Sequence, residues 1–157
     1  MKVLFCSSEV VPFAKTGGLA DVAGSLPLYL KKLKIDIRVC LPKYKCVKIK
    51  MDKAKIGKDI PVYLIKNDEY FDRPGLYGAE KGDYPDNLDR FAFFCKSVLE
   101  LLKKENFKPD VIITDFEPVA LYLSKKIPHF LIFNFDPETY IIFVKNKNKK
   151  FNLQDMY

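Results

Sequence analysis

Residues 3–41 read VLFCSSEVVPFAKTGGLADVAGSLPLYLKKLKIDIRVCL, and the spacing of their apolar positions changes twice. Val3-Leu4-Phe5-Cys6 is a continuous apolar run ended by Ser7-Ser8, the pattern of a short strand buried on both faces of a parallel sheet. From Leu19 the apolar positions Leu19, Val22, Ala23, Leu26, Tyr29, Leu30 and Leu33 recur at three- and four-residue steps. That predicts an amphipathic helix ending near Lys34 and kinked at Pro27. Residues 35–41 then read as a second strand closed by Pro42. Strand, glycine loop, helix and strand make a βαβ unit, so the fold class is α/β, a Rossmann-like parallel sheet flanked by helices.

The rest of the chain continues the pattern. Residues 60–65, 110–114 and 130–135 read as strands, 118–126 as a short helix, and 67–86 as a long loop. Residues 89–105 read as an amphipathic helix with Phe91, Phe94, Val98, Leu101 and Leu102 inward. Residues 43–58 alternate lysine with Tyr44, Val47, Ile49, Met51, Ala54 and Ile56, which fits an exposed strand or hairpin. No internal repeat is present, and the lysine and asparagine run 145–150 follows the last apolar run as an exposed end.

With 157 residues and 48% apolar content, one globular domain with its own core is expected. No apolar run approaches the ~18–20 residues that would span a bilayer, and the apolar stretch at the N-terminus is too short for a signal peptide. A soluble cytoplasmic protein with no membrane partner is the expectation. Cys6, Cys40, Cys46 and Cys95 form no C-x-x-C pair and His129 is the only histidine, so neither a metal site nor a redox motif is expected. Cys6 and Cys40 lie in apolar runs and read as buried free thiols. The net charge of +7 comes largely from seven lysines in 43–58 and from the tail run 145–150. The tail run has neither arginine nor aromatic side chains to read or stack on bases, which argues against a nucleic-acid partner. The excess positive charge would attract phosphorylated sugars or nucleotides.

In a parallel α/β sheet, ligands bind beyond the carboxyl ends of the strands, which is where the loop carrying Lys15, Gly17 and Gly18 falls. Glycines there permit close backbone approach, and the first amides of the helix favour an anion such as a diphosphate. The bland alternative is a simple turn with Lys15 in solvent. The loop matches neither G-x-G-x-x-G nor the G-x-x-x-x-G-K-[ST] phosphate loop, so neither a nicotinamide cofactor nor an ATPase follows.

The longer stretch SSEVVPFAKTGGLADVAGSLP, residues 7–27, resembles the N-terminal signature of bacterial glycogen synthases and plant starch synthases. Two further stretches resemble segments of the same family in the expected order. They are EYFDRPGLYG, residues 69–78, and YPDNLDRFAFFCKSVLELL, residues 84–102. The resemblance implies one half of a two-domain GT-B glycosyltransferase. Residues 1–144 would be the N-terminal, acceptor-side Rossmann-like domain and 145–157 a basic tail. It implies transfer of glucose from ADP-glucose to the non-reducing end of an α-1,4-glucan, with retention and without a metal or other cofactor. The partners would be ADP-glucose or a similar nucleotide sugar, the glucan acceptor, and a C-terminal donor domain absent from these 157 residues.

By the same resemblance Lys15 is the donor-binding lysine near the diphosphate, Gly17 and Gly18 are the loop glycines, and Glu9 and Asp21 line the cleft. Each of the last two has a structural alternative, Glu9 as a local cap or pair and Asp21 as a carboxylate suited to the helix dipole. Past Pro109 the likeness weakens. Asp115 stands where the family has an aspartate, and Phe133 takes the place of the histidine thought to contact the sugar, leaving the catalytic residues unassigned. His129 lies four residues earlier and reads as structural. Two functions of different class follow: the N-terminal half of an enzyme that is inactive alone, or a non-catalytic relative that binds a nucleotide sugar or glucan.

Overall fold

The computed structural model describes residues 1–114. The helix expected at 118–126, the strand at 130–135, the tail, and the positions of Asp115, His129 and Phe133 lie outside the described residues. The elements in chain order are β1 (Lys2–Cys6), α1 (Gly18–Lys32), β2 (Asp36–Pro42), β3 (Lys53–Ile56), β4 (Ile60–Ile65), α2 (Asp68–Phe71), β5 (Gly78–Ala79), β6 (Gly82–Asp83), α3 (Asn87–Lys104) and β7 (Val111–Thr114).

The main sheet has the order β3-β4-β2-β1-β7. β1 pairs in parallel with β2, Val3 beside Ile37 and Phe5 beside Val39, and on its other side with β7, Leu4 beside Ile112. β4 continues the parallel set beside β2. These strands hold the core, with Leu4, Phe5, Val39, Leu41, Val62 and Ile112 all nearly inaccessible to solvent. Cys6 and Cys40 are buried and in no disulfide, as their apolar neighbours suggest, and Cys95 is buried too. Burial pushes the Cys95 thiol up to about 12.

The expected parallel sheet acquires one antiparallel strand at its edge. β3 reverses into β4 through a tight turn in which Gly57 takes φ 61°, and strands joined that closely pair antiparallel. The lysine-rich segment therefore supplies an edge strand, pinned to the end of α3 by Lys53 Nζ at 2.8 Å from Glu105. The 67–86 loop contains two elements too short for periodicity to reveal, α2 and the β5–β6 pair.

Helix α1 begins and ends near the expected positions and continues through Pro27, but its buried face is rotated from the expected stripe. Ala20, Ala23, Gly24 and Pro27 are buried, whereas Tyr29 and Leu33 are 63% and 72% exposed. The reason is close approach. The Val11 amide donates to the Ala20 carbonyl at 3.1 Å, so the loop after β1 lies directly on the helix and admits only small side chains. A Cβ on Gly24 would sit 2.9 Å from the Val11 carbonyl oxygen and 3.1 Å from Val11 Cβ.

Gly24→Ala therefore sets a backbone collision against alanine's helix propensity, worth at most about 1 kcal/mol. Overpacking of this kind costs roughly 1–3 kcal/mol and dominates because the obstructing oxygen belongs to the main chain. The variant is expected to unfold at lower urea than the parent, and an unchanged or raised midpoint would refute the close-packing account.

Candidate functional site

Among the described residues, three loops gather at the carboxyl edge of the parallel strands: 7–17 after β1, 43–52 after β2 and 66–86 after β4. The chain places β2 on one side of β1 and β7 on the other, so loop 7–17 lies at the point where the strand order reverses. Open α/β sheets bind ligands at such switch points.

Glu9 organises this loop. The residue is 3% exposed, and its carboxylate accepts hydrogen bonds from the Thr16 amide, the Thr16 hydroxyl, the Gly17 amide at 3.2 Å and the Tyr77 hydroxyl at 2.8 Å. Burial alone would raise the Glu9 carboxyl. The hydrogen bonds from Thr16, Tyr77 and Gly17 together outweigh burial and hold it below the usual carboxylate range. Of the two alternatives for Glu9, the local pairing role is the one its geometry fills, and an ionised carboxylate fixes the shape of the K-T-G-G turn.

That pairing has a chemical consequence. The Thr16 and Gly17 amides point at Glu9 and are already engaged. Gly17 is the N-cap of α1 and brings no side-chain cap, so the first-turn amides of the helix lack the usual side-chain acceptor. A Cβ added to Gly17 or Gly18 would meet nothing within 4 Å. Packing within the described residues does not demand glycine there, while an incoming group gains an open path to the backbone.

Lys15 and Asp21 are brought together. Lys15 Nζ lies 2.7 Å from both carboxylate oxygens of Asp21, with the two side chains 52% and 57% exposed. An ion pair so open to water contributes little, so Lys15 can exchange Asp21 for another anion at small expense. Asp115 lies outside the described residues.

Sequence reasoning missed the support behind Glu9. The Tyr77 hydroxyl lies 2.7 Å from Ser8 Oγ as well as 2.8 Å from Glu9. The Tyr77 carbonyl accepts from the Asn87 side chain at 2.8 Å and from the Tyr84 amide at 2.9 Å. Arg90, fully buried, donates from Nε to the Tyr70 carbonyl at 2.7 Å and from Nη2 to the Leu76 carbonyl at 2.9 Å, and it also bonds Asn87 Oδ1. Its guanidinium sits 4.8 Å from the Tyr84 ring and 5.6 Å from each of the Phe71 and Phe91 rings. Arg73 adds a bidentate pair to Asp86 at 2.8 and 2.7 Å. The stretches 7–27, 69–78 and 84–102 are thus one physical assembly, in which Arg90 holds the Tyr77 segment and Tyr77 holds Glu9.

A family model described as the starch synthase catalytic domain matches residues 2–129. The glycogen synthase of Geotalea uraniireducens (strain Rf4) is 52% identical over 135 residues, covering 71% of this chain and 28% of that protein. Glycogen synthase 2 of Geobacter metallireducens is 41% identical over 159 residues, covering 85% of this chain and 33% of the relative. The solved catalytic domain of starch synthase IV from Arabidopsis thaliana, bound to ADP and acarbose, superposes with a TM-score of 0.63 at 25% identity, covering 83% of this chain and 32% of that one. The chain spans about a third or less of each of these relatives.

Proposed function

Because the chain belongs to the starch synthase catalytic domain family, we propose that it forms the N-terminal, acceptor-side wall of a glucosyltransferase of glycogen or starch synthesis. The donor is ADP-glucose, the acceptor the non-reducing end of an α-1,4-glucan, and the anomeric configuration is retained. The reading rests on the meeting of the three signature stretches through Tyr77 and Glu9, next to an uncapped helix start and an exchangeable lysine. Lys15 leaves Asp21 for the diphosphate, and the first-turn amides of α1 approach the same anion where Gly17 and Gly18 keep the way clear. The relative solved with ADP and acarbose supports a nucleotide and a glucan-like ligand as the classes to test.

Catalysis between two facing walls needs positioning and charge stabilisation from both, so half a cleft leaves the donor solvated. The isolated chain is expected to transfer no glucose from ADP-glucose to glycogen. Placing residues 1–129 in the matching segment of the Geotalea enzyme is expected to give a chimera that does. Lys15→Ala should then lower its rate about tenfold or more, the scale of one charge-assisted hydrogen bond. Turnover by the isolated chain, or a chimera indifferent to Lys15, would overturn this reading. Phe133, which has no hydrogen-bond donor on its side chain, favours a second reading as a non-catalytic binder. Full-length fusions carrying Phe133 and Phe133→His separate the two by whether histidine restores transfer.

A further inference from the structure

Loop 43–52 leaves the carboxyl end of β2, the strand next to β1, and returns to start β3 opposite Tyr63 near the end of β4. Both of its ends therefore lie at the edge occupied by the K-T-G-G loop. The two loops touch, with Cys46 Sγ 3.8 Å from the Phe13 carbonyl oxygen, two residues before Lys15. The 43–52 loop carries four lysines against one aspartate. Lys43 is spent within the loop, on Asp52 at 2.8 Å and on the Lys50 carbonyl at 3.0 Å. Lys45, Lys48 and Lys50 are exposed and enter no ion pair among the described residues. The 66–86 loop has the opposite balance, six carboxylates against three cationic side chains. The loop after β1 thus touches a cationic neighbour, 43–52, through Phe13, and an acidic one, 66–86, through Glu9.

We propose that loop 43–52 is a cationic rim that gathers a nucleoside diphosphate sugar toward the K-T-G-G turn, with Lys45, Lys48 and Lys50 acting through their field. The proposal rests on the nucleotide-sugar reading above and adds residues to it that the signature stretches do not contain. Charges near a cleft raise the local concentration and association rate of an oppositely charged ligand without bonding it. Their reach follows the Debye length, ~30 Å at about 0.01 M salt and ~3 Å at about 1 M. An uncharged glucan gains nothing from them.

The test uses the 157-residue chain, isotopically labelled, titrated with ADP and followed at the Gly17 and Gly18 amides. The triple variant Lys45→Gln, Lys48→Gln, Lys50→Gln is compared with Lys34→Gln, Lys58→Gln, Lys108→Gln. The second set removes the same charge from the connections entering β2, β4 and β7, at the amino edge of the parallel strands. At about 0.01 M salt the rim variant should bind ADP on the order of tenfold more weakly than the parent and the remote variant nearly as well, and the difference should vanish near 1 M. Equal weakening by both sets, or none by the rim set, overturns the rim and leaves the site reading standing. If ADP leaves the Gly17 and Gly18 amides unmoved in the parent, the site reading falls and the rim falls with it.

Discussion

Replacing Arg90 with methionine is expected to lower the unfolding free energy by roughly 3–5 kcal/mol, a large fraction of what a domain of this size possesses. Methionine keeps the unbranched apolar stem, so packing against Phe71, Phe91 and Tyr84 is largely preserved and the loss isolates the guanidinium. What disappears are charge-assisted bonds to the Tyr70 and Leu76 carbonyls and to Asn87, each worth more than a neutral bond. The acceptors stay behind with no water at hand, because Arg90 itself is wholly buried. Burial draws the guanidinium below its ordinary pKa, yet an arginine this well bonded remains the cation that three acceptors require. Arg90→Lys should be intermediate, since an ammonium cannot present the planar fork that serves all three. Urea unfolding measures the effect. A shift in stability under about 1 kcal/mol for the methionine variant would mean that the 66–86 loop is held by something else.

Glu9→Gln is expected to cost roughly 2–3 kcal/mol near pH 7, because an amide cannot accept from Thr16, Gly17 and Tyr77 on both of its heavy atoms. The loss also has a pH signature. The folded-state pKa of Glu9 is depressed, so the unfolded chain binds its proton first as the solution is acidified. The stability this carboxylate contributes is fully present above the unfolded value of about 4.3 and disappears as pH falls through the lower folded value. The gap between parent and variant should therefore be constant from about pH 7 to pH 5 and narrow below about pH 4. Taking the difference removes the acid dependence of other paired carboxylates, Glu105 and Asp86 among them. A gap that stays constant into acid would show that Glu9 acts by its shape and not by its charge.

The βαβ unit was legible in residues 3–41 because a buried strand and an amphipathic helix leave different periods in the sequence. The direction of β3 was not, since alternation marks a strand and says nothing of its neighbour; Gly57 was the only local sign of a reversal. The small-residue face of α1 was hidden for a related reason. Ala20, Ala23 and Gly24 carry little hydrophobicity, so Tyr29 and Leu33 dominated the pattern while facing water. In α3 the spacing of Phe91 and Phe94 marks the buried face, which Arg90 shares without its residue type announcing it. It occupies the same stripe, four residues before Phe94 and eight before Val98, and a charge on an apolar stripe was the available signal.

Of the site, Lys15, Gly17 and Gly18 could be placed from the loop's position after β1, whereas the tie between Glu9 and Tyr77 could not. It spans 68 residues of sequence, and no local rule connects a carboxylate in one loop with a phenol in another.

The tether from Arg90 through Tyr77 to Glu9 also bears on how such a sequence can drift. Residues that share one hydrogen-bond network respond to substitution jointly. Once Tyr77 has lost its hydroxyl, Glu9 has less left to lose; once Arg90 is gone, the segment that aims Tyr77 is already adrift. The four positions 9, 16, 77 and 90 thus behave as a single inherited character scattered across two loops and a helix. A lineage changes them together or leaves them alone, while Lys45, Lys48 and Lys50, whose side chains enter no ion pair among the described residues, are free to vary with the ionic surroundings in which each relative works.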